Sequence, residues 1–182
     1  MIQDFIKKVG EFHDVFGVEC GNVDVELRYK LFKEEFEEYK DAKTLVDKAD
    51  AIVDMLYIAC GTLDIYERNY YDSDLKTRFS QNEKRTLESI DFNLNRFLEQ
   101  DDASQIDGIL CDVNTLAHIN GIKDKLPQLF EEVHLSNLSK LDENGKPIIN
   151  DGILDPNKPI GKILKGKNYF EPRLKEILEN GN

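Results

Sequence analysis

The chain has 182 residues, enough for one domain with a buried core, and its 40% hydrophobic and 33% charged residues describe a globular protein rather than a disordered one. With 24 basic and 36 acidic residues the net charge is −12, which disfavours long nucleic acid and admits small polyanions only where metal ions or local lysines neutralise them. Cys20, Cys60 and Cys111 form no C-x-x-C pair, no apolar run spans a bilayer, and the first residues do not read as a signal peptide; a reduced, cytoplasmic protein off the membrane is expected.

The helical period dominates from the start. Ile2, Phe5, Ile6, Val9, Phe12, His13 and Phe16 fall on one face of an amphipathic helix that Gly17 and Gly21 terminate. A second helix is predicted from about Asp24 to Ala42, and a third from Thr44, which has capping-box spacing to Asp47, to about Glu67. Ser80 with Glu83 and Ser104 with Asp107 signal helices near residues 81–100 and 105–120, and another is expected near 126–135. No period-two alternation is sustained, so the fold is read as all-α. After residue 136 Gly, Pro, Asn, Asp and Lys accumulate as far as Pro172, the signature of a long ordered loop or short hairpin region. A short helix follows Pro172.

The sharpest chemical signal lies in the second and third helices. Leu27, Leu31, Phe32, Tyr39 and Ala42 form an apolar stripe on the second, with Lys30, Lys33, Glu37 and Lys40 opposite. Glu34, Glu35 and Glu38 fall inside the stripe. The third helix reads ADAIVDMLYIACGT, apolar almost all round, yet carries Asp50 and Asp54 four residues apart, with Asp47 one turn earlier. Carboxylates at such positions need compensation, because desolvation and mutual repulsion both oppose ionisation. Arg28 and Lys48 are too few to balance them. A divalent cation supplies the compensation, and an all-oxygen donor set without His or Cys points to Mg²⁺, or Mn²⁺, rather than zinc. Hard ions held by carboxylates commonly bridge phosphate oxygens, and a carboxylate left over activates water. His13 and His134, at helical spacing among apolar residues, are expected to be hydrogen-bonded structural groups.

At these residues the sequence resembles the MazG-like, phosphoribosyl-ATP-pyrophosphohydrolase-like superfamily of all-α nucleoside triphosphate pyrophosphohydrolases. Glu34-Glu35-Phe36-Glu37-Glu38 matches its E-E-x-x-E, Ala42 its small residue beyond, and Asp54-Met55-Leu56-Tyr57 its D-L-L-F/Y. The superfamily's acid three residues before that aspartate is Ala51 here, leaving Asp50 or Asp47 to substitute. A second block, Glu132-Val133-His134-Leu135-Ser136-Asn137-Leu138-Ser139-Lys140, then Gly145-Lys146-Pro147, then Gly161-Lys162 through Pro172, narrows the resemblance to a subgroup frequent in phages and bacteria. DPNKP is extra length, and residues 68–120 look like a helical insertion.

The resemblance implies one all-α domain over residues 1–182, a helical bundle with a carboxylate metal site, a helical insertion and an irregular, nucleotide-contacting segment at 136–172. It implies Mg²⁺-dependent hydrolysis of a (deoxy)nucleoside triphosphate to the monophosphate and pyrophosphate. Glu35, Glu38, Asp54 and Asp50 (or Asp47) would hold the metal, and Glu34 would be the base or water-orienting group. In the tail, Lys140 and Lys165 suit phosphate oxygens, Asn137 a sugar or base edge, and Tyr169 (or Phe170) a base face. Glycines 145, 161 and 166 are expected to let the backbone approach a ligand. Members of the superfamily assemble as dimers or tetramers, so the resemblance implies a homodimer or homotetramer, and a third helix apolar almost all round fits that, since one short chain offers it limited cover. The alternatives are a dimeric-type deoxyuridine triphosphatase and a non-catalytic nucleotide- or metal-binding regulatory module.

Overall fold

The computed structural model describes residues 1–67 and 82–180. Among them are seven α-helices and no strand: α1 Ile2–Phe16, α2 Val25–Asp41, α3 Leu45–Ile65, α4 Glu83–Gln100, α5 Ser104–Ile119, α6 Leu126–Leu138 and α7 Leu174–Glu179, with a short 3₁₀ turn at Lys123–Lys125 before α6. The fold is all-α. α1 buries the whole predicted stripe and ends where Gly17 turns left-handed, its φ of 69° costing a glycine nothing. Asp24 caps α2 by accepting from the Leu27 N–H at 2.9 Å. The capping box predicted for α3 forms in both directions, Thr44 Oγ1 accepting from Asp47 N and Asp47 Oδ2 from Thr44 N.

α3 is the axis of the bundle. It is buried on nearly every side, and α1, α2, α5, α6 and α7 all pack against it. Its cover is therefore found within the chain, and the expectation of a second copy drawn from limited cover loses that support. An aromatic seam joins α1, α3 and α6: Phe5 stacks on Phe130 with centroids 3.9 Å apart, and Tyr57 packs between Phe130 and the edge of Phe12.

Two helix starts differ from expectation. α4 begins at Glu83 with Asn82 as its cap, accepting from Arg85 N at 3.1 Å, while Ser80 lies outside the described residues. α5 begins at Ser104 itself, because Asp102 takes the capping role and accepts from both the Ser104 N–H (2.8 Å) and hydroxyl (2.5 Å). The described part of the proposed insertion forms a helical pair, α4 against α5, laid on α2 and α3. Phe36 of α2, which α2's own apolar stripe does not include, is buried.

α6 runs on to Leu138, past the expected end near 135, so Ser136 and Asn137 are helical residues. Beyond it the chain is irregular as far as α7, with one isolated antiparallel bridge between Ile149 and Ile163. One buried side chain organises this segment. Asn150 Nδ2 donates to the carbonyls of Asp155, Lys158 and Pro159, and its Oδ1 accepts from Gly152 N and Asp155 N. The extra residues DPNKP are thus folded around an internal amide rather than left open.

Two outcomes are expected. Phe130→Ala, which empties the centre of the aromatic seam, should lower stability by about 3–5 kcal/mol in urea unfolding. Asn150→Ala should speed amide exchange at Gly152 and Asp155, whose acceptor it removes, while leaving the helical amides protected.

Candidate active site

α2 and α3 lie side by side, and their facing turns open a cavity of about 590 Å³ whose far wall is the tail segment. Arg28, Leu31, Glu34, Glu35 and Glu38 reach it from α2, at spacings of three and four that keep them on one face. Asp50 and Asp54 reach it from α3, Asn137 and Lys140 from the end of α6, and Lys158, Lys162, Lys165 and Tyr169 from the tail. All nine residues singled out in the sequence therefore line one cavity. Asp47 does not: its carboxylate is exposed and held by the cap it makes with Thr44, which also draws its pKa below the usual range. Ala51, where the superfamily pattern has an acid, is core.

Electrostatics are severe on the carboxylate wall. Burial, then the charges of Asp54 and Glu38, pushes the Glu35 carboxyl up to about 9, and Lys162 only partly opposes this. Asp54 is raised to about 7 by burial and by Asp50, with Lys140 opposing, and Asp50 to about 6 by burial and Glu38. Lys140 is lowered, first by its own burial, against the attraction of Asp54. Arg28 and Lys48, the basic residues nearest the site on α2 and α3 apart from the lysines on the opposite face of α2, are spent elsewhere. Arg28 donates to Thr62 Oγ1 (2.9 Å) and Ile58 O (2.5 Å), and Lys48 pairs with Glu83 at 2.9 Å.

Among the described residues Glu35, Glu38, Asp50 and Asp54 make no hydrogen bond or ion pair with the protein, although all four face the cavity. Glu34 does: it is ion-paired to Lys162. Among the described residues no three Asp, Glu, His or Cys side chains are gathered closely enough to hold an ion as they stand. The fit of the set to a hard divalent cation rests on its chemistry: uncompensated carboxylate oxygens, opposed by two lysines, on the wall of a cavity.

The tail is clamped by the same motif that supplies Asn137 and Lys140. Glu132 accepts from Arg173 Nε (2.9 Å) and N (3.1 Å). Ser136 Oγ donates to Phe170 O at 2.7 Å, and Ser139 Oγ accepts from Phe170 N at 3.1 Å. Half of the motif thus holds the tail and half faces the cavity. Lys165 lies over the Tyr169 ring and both pair with Glu171, whereas Phe170 points outward. Gly166 is tight for a reason other than a ligand: a Cβ there would stand 2.1 Å from Leu141 O, so the close approach is to the chain's own backbone. His13 and His134 are hydrogen-bonded, to Asp64 at 2.7 Å and to the Tyr57 hydroxyl at 3.0 Å. Sequence reasoning misses Lys162, although it sits in the quoted Gly161-Lys162 block; the signal was an apolar-flanked lysine beside a glycine.

The family model described as phosphoribosyl-ATP pyrophosphohydrolase, of the MazG-like all-α nucleoside triphosphate pyrophosphohydrolase superfamily, matches residues 9–66, from the middle of α1 to just past α3. The matched stretch is about a third of the chain and contains Glu34, Glu35, Glu38, Asp50 and Asp54. No curated protein and no solved structure matches the chain. Members of the family generally depend on a divalent metal.

The raised carboxyls fix the sign of a pH dependence. The folded state holds their protons more tightly than the unfolded chain, so their contribution to stability is complete below the unfolded values near 3.8–4.5 and is lost as pH rises through about 6, 7 and 9. The urea midpoint without divalent ions should fall between pH 6 and pH 9, and Asp54→Asn should flatten that slope. Added Mg²⁺ should restore the midpoint at pH 8 in the unmodified chain and not in the variant.

Proposed function

We propose that the chain hydrolyses the α–β phosphoanhydride of a (deoxy)nucleoside triphosphate, releasing the monophosphate and pyrophosphate. The family match supports a pyrophosphohydrolase-type activity. The observation that carries the finer reading is the row of four unpaired carboxylates facing Lys140 and Lys162 across one cavity. Glu35, Glu38, Asp50 and Asp54 would hold Mg²⁺, which, when bound, neutralises phosphate oxygens and the charge that develops on them.

The protein's own groups then have distinct tasks. Lys140, whose ammonium has no ion-pair partner among the described residues, takes a phosphate oxygen. Lys165 and Tyr169, already stacked on one another, guard the tail side of the cavity, and Asn137 offers a donor and an acceptor to the sugar. Glu34 orients the attacking water. Its carboxylate is tied to Lys162, and a triphosphate that draws Lys162 away leaves it free to take the water's proton. The water oxygen bonds to the α-phosphorus, and the pyrophosphate leaves with the electron pair of the broken bond. Assembly as a homodimer or homotetramer belongs to the same proposal.

The test is incubation of the purified protein with each common NTP and dNTP, and with phosphoribosyl-ATP, in Mg²⁺, with products resolved by ion exchange. Monophosphate and pyrophosphate are expected; diphosphate with orthophosphate would mean that the wrong bond is assigned. Glu38→Gln and Asp54→Asn should each lower turnover by at least about 100-fold with the helical circular dichroism unchanged, and activity retained in both would remove the carboxylates from the mechanism.

A further inference from the structure

The cavity has a second compartment that phosphate chemistry does not use. Two turns back along α2 from Glu35, about 10 Å along the helix axis, the lining changes to Leu27, Leu31, Val9 and Phe12, with the polar groups of Arg28 and His13 set among them. On α3 the corresponding step leads from Asp54 to Ile58 and Thr62, the two residues that accept from Arg28. That separation suits a nucleoside with its phosphates at the carboxylates and its base edge at Arg28. Val18 and Ile65 add to its apolar wall and Glu19, Asn22 and Asp24 between α1 and α2 also line the cavity, while Arg28 and His13 are the polar groups fixed by hydrogen bonds among the apolar side chains, a make-up that suits a flat heterocycle.

The two polar groups have defined hydrogen-bonding character. Arg28 has used Nε and one N–H of Nη2, and its remaining N–H groups have no protein partner among the described residues. They can only donate. His13 Nδ1 lies 2.7 Å from an Asp64 carboxylate oxygen, which can only accept, so Nδ1 carries the proton and Nε2 presents a lone pair. Burial disfavours a second proton on the ring. Nη2 of Arg28 and Nε2 of His13 flank one spot above Gly61, standing 3.0 and 3.1 Å from where a Cβ would be, and the absent side chain lets them approach each other. A donor thus stands beside an acceptor.

Resting on the pyrophosphohydrolase reading, we propose that Arg28 and His13 select bases that carry a ring carbonyl next to a ring N–H, namely uracil, thymine and guanine. The carbonyl accepts from Arg28 and the ring N–H donates to His13 Nε2. Cytosine and adenine present an amino group beside a bare ring nitrogen, which sets donor against donor and acceptor against acceptor. Asp64 is a positioning residue: it fixes which His13 nitrogen bears the proton.

Isothermal titration with the non-hydrolysable α,β-imido analogues of dUTP, dTTP, dGTP, dCTP and dATP in Mg²⁺ separates this inference from the reaction itself. The first three should bind at least about tenfold more tightly than the last two. Asp64→Asn frees the His13 tautomer and should shrink that ratio, an effect that loss of a purely structural contact would not produce. Arg28→Lys, which keeps the charge and loses the planar donors, should weaken the first three analogues and spare the last two. Equal binding of all five, or an unchanged ratio in both variants, overturns the selection while leaving the pyrophosphohydrolase reading intact. Binding of none of them removes that reading and the selection with it.

Discussion

Everything about this protein turns on the difficulty of keeping several carboxylates charged beside a hydrophobic core. α3 is buried almost all round, and Asp50 and Asp54 open from it into the same space as Glu35 and Glu38. Their repulsion is not relieved by the helices that bear them, since Arg28 is committed to Thr62 and Ile58, Lys48 to Glu83, and Lys30, Lys33 and Lys40 to Glu26, Asp91 and Glu37. Relief comes from elsewhere in the chain: from Lys140 at the end of α6 and Lys162 in the tail. A fold that only needed stability would place apolar residues there, because buried charge is weak support for a native state. Under the proposed function, the retained carboxylates are there for a cation and a polyanion.

The rest of the architecture serves that arrangement. The α4–α5 pair braces α2 and α3 from behind, through Lys33 with Asp91 and the Tyr39 hydroxyl with Glu83, so the carboxylate face is not free to splay. The irregular tail is made rigid without regular secondary structure. Asn150 adds its side-chain amide to the few backbone bonds that join residues 148–150 to 161–164, and Glu132, Ser136 and Ser139 fasten the returning chain to α6. Polar side chains do here what strand pairing does in sheet proteins, satisfying backbone groups that a loop would leave to solvent.

Much of this was legible in the residues. The helical period located the first helices and the capping signals at Ser80 and Ser104 the fourth and fifth, because burial of one face and satisfaction of a helix's first amides both leave a mark on the residues. The glutamates inside α2's stripe and the aspartates inside α3 were legible for the same reason, as violations of the pattern. What was hidden depended on partners distant in sequence. Phe36 is buried although it lies off α2's apolar stripe, on a helix against which α4 packs. Lys162 matters only because folding brings it to Glu34. Arg28 reads as a neutraliser of carboxylates, yet its nearest acceptors are Thr62 and a helix carbonyl. The choice between Asp47 and Asp50 was open in the spacing, although the capping box that removes Asp47 was itself visible there.

Lys162 stands 128 positions after the glutamate it neutralises. On a ribosome, α1 to α3 are complete long before that lysine is made, so the nascent bundle carries its acidic wall alone for most of synthesis. A ribosome that stalls early releases a fragment bearing the acidic helices and lacking the lysines that oppose them.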